Sequence, residues 1–537
     1  MTNEAVAAIV AVTEKLRADL PRIGSAVGDS AIRVGAGLKT VGGRLRAAEF
    51  DAGSVIRKVG PGHPGPGQLE RSHPYLSESL LRDDLDVGAA DPTHLTTATA
   101  KIDRYLGSHG DVQVLIRRAK PGSDIVAAAR DRVYRNAYWW RELTADEREA
   151  MIREHPFHIG NADGIPYFVR DRALRLHIRR ELEWHLHGTP HPESVAGALR
   201  RDQRIPLENL QHVRDQLATI EREVAPNSPV QLTRCEPNAF GGKGSIEFSI
   251  GDADRAPLVT RQIGGFGTTL ESSEFRARVT VKQHDMCERV RPDLPHATIN
   301  DIGYSAPMTI PQVISPRMAE AGGDLVAHNA SAYRATREVW AKYGGADEPE
   351  LMNLAGFSFG TTTSCFAGAG ERLKDVIDQV VLAAPPGAGP MLHASEFGIG
   401  ADNVYVLAAS DDPITHLGSA IPGRNGRFLG TGLGLDPANE AWGGVRVAAE
   451  RPPILETIKR LNPVDAHYGY YAPEGDGLGN IAKILTGQGA EVSRVPARPL
   501  GQPATWRNWI RTPVEDPEAA RRAGLVRSEL AEGEFAD

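Results

Sequence analysis

Cysteine is scarce in this chain: Cys235, Cys287 and Cys365 are the whole complement of a 537-residue sequence. An odd, sparse set argues against a disulfide framework and fits a reducing compartment. Long apolar runs are missing as well. None reaches the ~18–20 residues that a bilayer-spanning helix needs, so no transmembrane segment is expected. The apolar stretch at residues 5–12 lies between Glu4 and Glu14 with no basic leader, and reads as one face of an amphipathic helix rather than a signal peptide. The expectation is a soluble, cytoplasmic protein, with export lacking a cleavable signal as the other route. Nor is charge of one sign concentrated: 61 Lys and Arg face 69 Asp and Glu, a formal net charge of −8. Dispersed basic residues on an acidic chain give no reason to expect a nucleic-acid partner. No internal repeat is visible.

What is present has the balance of a globular protein, with 41% hydrophobic and 24% charged residues. The length exceeds one ordinary core, so several regions are expected. Residues 1–58 form an Ala-rich helical segment with apolar spacing through Ile9, Val12, Leu16 and Leu20. Alternating Gly and Pro in VGPGHPGPGQ make 59–69 a linker, because neither helix nor ladder hydrogen bonds can form there. Residues 70–222 are helical again and suit a lid or a docking part. Within them Thr144, with Glu147 three residues later, predicts a capping box. The acid in NADGIP, Asp163, reads as a turn residue.

From 230 to 492 the pattern becomes strand and helix. SIEFSI, APLVTRQI and FRARVTVKQ read as strands from their β-branched content. ATINDI, LMNLAGF, VIDQVVLAAPP, NVYVLAAS and GVRVAAE then alternate with helical stretches, which predicts a mostly parallel sheet covered on both faces. The fold class is α/β, a mostly parallel central sheet preceded by a helical N-terminal region. Residues 493–537 form a Pro-, Arg- and Glu-rich tail.

The chemistry concentrates at Gly356-Phe357-Ser358-Phe359-Gly360. A G-x-S-x-G after a strand and before a helix is a nucleophile elbow, in which the serine is held in a strained conformation and the glycines permit close approach. Chain order then asks for an acid and later a histidine. Asp412, just past VYVLAAS, is the favoured acid and Asp411 the secondary candidate; one of the two would cap the turn that follows. His467 in NPVDAHYGYY is the candidate base. His416 stands too close to Asp412 and His393 precedes the acid. For the oxyanion hole, one amide is that of Phe359, after the nucleophile. The Gly-rich turn at 264–269 supplies the other from Phe266, with Gly267 as secondary candidate. It lacks the Lys-Ser/Thr ending of a phosphate loop. His185, His187 and His191 sit in WHLHGTPH with a spacing that fits a helix end better than a metal set. No metal and no cofactor is called for.

The stretches WWRELTADEREAMIREHPFHIGNADGIPYFVRDRALR, IGGFGTTL, ATINDIGYSAP, GFSFGTTTS, VYVLAASDDPI and HYGYY…LGNIAKILTG together resemble an actinobacterial α/β-hydrolase family known as a domain of unknown function. The likeness covers roughly residues 90–490. It implies an α/β-hydrolase fold behind a helical region and a nucleophile at Ser358. This sequence departs from that family at Gly264, where Pro is typical, and at Phe357 and Phe359, where His and Tyr are. The expected activity is serine-dependent hydrolysis of carboxylic esters, on a small-molecule or lipid substrate. The alternatives are a non-catalytic hydrolase-like binding module, or a secreted effector or assembly protein that oligomerises through its N-terminal helices.

Overall fold

The computed structural model describes residues 124–498 apart from 188–206, 225–227, 238, 314, 410–411, 419–432, 450–466 and 473–474. The segment 1–58, the linker 59–69, residues 70–123, most of the tail, Asp411 and His191 lie outside the described residues. Helices come first: α1 (Ile125–Glu142), α2 (Ala145–Glu154), α3 (Pro156–Gly160), α4 (Tyr167–His187) and α5 (Leu207–Glu223). Thr144 caps α2 in a complete capping box with Glu147, satisfying two orphan amides reciprocally.

An eight-stranded sheet follows, ordered β1-β2-β4-β3-β5-β6-β7-β8. Its strands are β1 (Val230–Glu236), β2 (Ser245–Ile250), β3 (Leu258–Ile263), β4 (His296–Ile302), β5 (Leu351–Phe357), β6 (Gln379–Ala383), β7 (Val404–Leu407) and β8 (Val445–Val447). β2 runs antiparallel to both β1 and β4, and β3 to β8 are parallel. This is an α/β-hydrolase architecture, with a mostly parallel sheet behind helices. Among the described residues α4 and α5 pack on its β1–β2 end, and further helices cover it: α6 (Ser273–Val290), α7 (Pro316–Ala341), α8 (Phe359–Gly368) and α9 (Asp476–Leu485). No helix among the described residues is long and apolar enough to cross a membrane.

One expected strand is corrected. FRARVTVKQ, read as β from its valines and threonine, lies inside α6. Ala277, Val281, His284 and Cys287 are buried at helical spacing, so the 3.6-residue period overrode β propensity. VQLTRCE, not singled out in the sequence, is β1.

The segment most characteristic of the family resemblance has a structural purpose. Asp163 does sit in a turn, yet it is also the buried acid of an ion cluster. It lies 3.1 Å from Arg234 and 3.4 Å from Arg170. Arg234 in turn feels Glu247 on β2, and Arg261 on β3 joins Glu247 to Asp301 on β4. Burial alone would raise the Asp163 carboxyl, but the Arg234 and Arg170 guanidiniums outweigh it and hold the group well below the carboxylate range. Around it, Asn136 donates to the Asp163 carbonyl at 2.6 Å and Trp340 to the Gly164 carbonyl at 2.8 Å. Gly164 has φ +90, and a Cβ there would stand 2.4 Å from the Val133 carbonyl oxygen. The turn thus fastens α1, α4 and α7 to the β1–β2 edge.

Three buried histidines make stability depend on pH. Burial lowers His284 to about 4 and His328 to about 4; with the neighbouring His284 it lowers His296 to about 3. Unfolded, each titrates near ~6.5. Below that pH the unfolded chain takes up protons that the folded one refuses, so stability is lost as pH falls from about 6.5 toward 4. Each histidine should remove roughly 2 kcal/mol by pH 5. Asp254, which burial and then Asp252 push up to about 7, works the other way, losing its contribution as pH rises toward 7. The three histidines outweigh it. Calorimetry should show a lower melting temperature at pH 5 than at pH 7, and an unchanged one would contradict this.

Candidate functional site

Strand β5 is apolar on both faces and ends at Phe357, so the chain must turn sharply to enter α8. Ser358 makes that turn at φ 55, ψ −130, in a region that side-chain-bearing residues rarely adopt. Its amide donates to the Ala383 carbonyl at 2.9 Å, which helps hold the conformation. The flanking glycines are there for contact distance. A Cβ at Gly356 would lie 2.8 Å from the Thr361 Cα, and one at Gly360 would lie 2.3 Å from the Ile263 carbonyl oxygen.

Three elements bring their side chains to this turn. Ser358 Oγ is 2.7 Å from His467 Nε2. His467 Nδ1 is 3.0 Å from Asp412 Oδ2 and 3.2 Å from Oδ1. With Nδ1–H donated to the carboxylate, Nε2 is left to accept from the serine hydroxyl. Asp412 follows β7 and is fully buried. The same carboxylate also caps the turn that follows, since Oδ1 accepts from the Ile414 amide at 3.0 Å at the start of a short 3-10 turn. His416 lies in that turn and contacts Arg498, while His393 pairs with Ser395; neither joins the row.

Sequence reasoning missed what holds the row. Tyr470 donates its hydroxyl to Asp412 Oδ2 at 2.9 Å and accepts the Ala409 amide at 2.8 Å. Phe357 lies 5.0 Å from the His467 ring, and Tyr468 5.6 Å from it, so aromatic faces fix the imidazole plane. The run HYGYY carried the only signal, as a cluster of phenols beside a histidine.

The turn after β3 packs directly on the serine. A Cβ at Gly265 would stand 2.8 Å from Ser358 Cβ and 3.1 Å from the Phe359 nitrogen. Gly267 donates its amide to the Pro307 carbonyl at 2.9 Å, so the secondary oxyanion candidate is already committed. The amides of Phe266 and Phe359 have no such partner among the described residues. The two elbow phenylalanines do not line an open acyl pocket: Phe359 is 1% and Phe357 5% exposed. Exposed apolar side chains on these segments are instead Phe266 itself, Met308 next to the Pro307 that holds Gly267, and Tyr468 next to His467. His185 and His187 end α4, and no group of three or more metal-ligating side chains occurs among the described residues.

Comparison with known proteins agrees with this architecture. Residues 241–422 match the family described as alpha/beta hydrolase. Two uncharacterized proteins of Mycobacterium tuberculosis, MT2140 and Rv2079, are each 30% identical over 393 residues, which is 68% of this chain and 57% of theirs. The chain therefore spans little more than half the length of these curated relatives. Among solved structures, a hyperthermophilic esterase from the archaeon Pyrobaculum calidifontis is similar at 15% identity and a TM-score of 0.28, over 53% of this chain and 94% of that one. A thermostable carboxyl esterase from Bacillus coagulans is similar at 10% identity and a TM-score of 0.17, over 30% and 46%. Likenesses this distant do not bear on chemistry.

Proposed function

Because this chain belongs to the α/β-hydrolase superfamily, in an actinobacterial branch with mycobacterial relatives, we propose that it is a serine-dependent hydrolase of carboxylic esters. The observation that carries the reading is the hydrogen-bonded row from Ser358 through His467 to Asp412, at a strained strand-to-helix turn. Ser358 Oγ attacks the ester carbonyl while His467 Nε2 takes its proton, then returns it to the departing alkoxide. The ester C–O bond breaks and an acyl-serine forms; water, deprotonated by the same imidazole, then releases the acid. Asp412 keeps Nδ1 protonated and balances the imidazolium. The Phe266 and Phe359 amides receive the oxyanion. Phe266, Met308 and Tyr468 give the mouth an apolar rim, which favours esters with apolar acyl or alkyl groups.

The rival is a binding module that keeps the fold without the reaction. A fluorophosphonate probe separates them. Labelling of the wild-type chain that disappears in Ser358→Ala is the expected result; labelling that persists in the variant, or a wild-type chain that never reacts, would sink the reading. Among p-nitrophenyl esters, kcat/KM should rise with acyl length.

A further inference from the structure

One buried charge beside this site has no counter-ion. Arg276, in the first turn of α6 directly after the oxyanion turn, is 4% exposed. No carboxylate pairs with it among the described residues. The groups that face it are the phenols of Tyr471, Tyr304 and Tyr468. Its Nε and Nη1 have no hydrogen-bond partner among the described residues. Burial of the cation pulls the guanidinium below the usual arginine range.

The location is specific. Nε lies 3.3 Å from where a Gly264 Cβ would stand, and the Gly264 carbonyl accepts the Tyr304 hydroxyl at 2.6 Å. The next residue, Gly265, is the one packed on Ser358 and the Phe359 nitrogen. Tyr471, on the other side, follows His467 by four residues in the short turn Gly469–Tyr471. The cation therefore sits behind the oxyanion turn and faces the histidine loop. An unpaired buried charge destabilises a fold, and a purely structural site would be better filled by an apolar side chain.

We propose that Arg276 is an electrostatic positioning residue whose fixed positive charge, set behind the 264–266 turn, stabilises the negative charge that develops on the acyl oxygen during catalysis. The inference rests on the serine-hydrolase reading. A positive charge held in place in a water-poor setting needs no reorganisation when the oxyanion appears, so it acts on the transition state and hardly on the neutral substrate. Removing it should lower kcat and leave KM nearly unchanged.

The test compares Arg276→Met, which keeps length and loses charge, with Arg276→Lys, which keeps charge. Measurements are kcat and KM on p-nitrophenyl butyrate, inhibition by a trifluoromethyl ketone that forms an anionic serine adduct, and melting temperature. For Arg276→Met, kcat and inhibitor affinity should both fall on the order of 10–100-fold, KM should move less than about threefold, and the melting temperature should hold or rise. Arg276→Lys should recover most of the loss. Unchanged kcat in Arg276→Met overturns the proposal. So does a loss of rate accompanied by a lower melting temperature and no recovery in Arg276→Lys, since a packing role gives that result. A wild-type chain inert to both fluorophosphonate and esters overturns the hydrolase reading itself, whereas a reactive wild type with an equally reactive Arg276→Met overturns this inference alone.

Discussion

Alanine at Ser358 and alanine at His467 should each lower kcat on an activated ester by about a millionfold, and the double variant should be no slower than either. The reason lies in the 2.7 Å contact between Ser358 Oγ and His467 Nε2. A serine hydroxyl is a weak nucleophile until a base takes its proton in the same step, so the two groups act as one unit. Losing either abolishes the whole contribution, and what is left belongs to oxyanion stabilisation and binding, roughly 10³–10⁴-fold over water. Ser358→Ala should leave the backbone strain in place, because alanine is no more at ease at φ 55 than serine. Single-turnover kinetics on the three variants is the check. Multiplicative losses in the double variant would mean that the two side chains act separately.

Asp412→Asn should lower kcat by about 10⁴-fold while leaving the melting temperature close to wild type. Tyr470 and the Ile414 amide donate to Oδ2 and Oδ1 respectively, so the buried carboxylate position already receives donors on both oxygens. An asparagine keeps its carbonyl for the Ile414 amide, which can only donate, and turns its own amide toward the Tyr470 oxygen and His467, which can accept. If that amide faces His467, Nδ1 must accept, the proton moves to Nε2, and the imidazole can no longer take the serine proton. The fold loses little because the volume is unchanged. Steady-state rates with a calorimetric control test this, and a rate within tenfold of wild type would show that Asp412 does not set the tautomer.

Part of the sheet is legible in the sequence because buried parallel strands are short apolar runs, as β6 and β7 nearly are, whereas β3 and β4 carry buried polar residues and are read from their β-branched content. The turn at Ser358 is legible for the same reason: a strand that ends in Gly-x-Ser-x-Gly leaves few geometries open. Ser358 and Asp412 can be read off directly, since each follows an apolar strand, whereas His467 follows from chain order after the last strand. What supports them cannot. Tyr470 reaches Asp412 across 58 residues of chain, and the ion cluster joins Asp163 to Arg234 and Arg261 to Glu247 and Asp301, contacts between elements that are distant in sequence. The valines of α6 misled for another reason. Propensity is a local preference, and burial of one helical face against the sheet outweighs it.

The turn at Asp163-Gly164 carries a consequence for how this molecule folds. Its carboxylate is neutralised by an arginine on the first strand, and its two carbonyls are gripped by helices that precede and follow the sheet's edge. Cut between α5 and β1, each half would keep buried ions stripped of their mates. The leading helices are foundation: the buried charges of this cluster are balanced only while helices and sheet fold together.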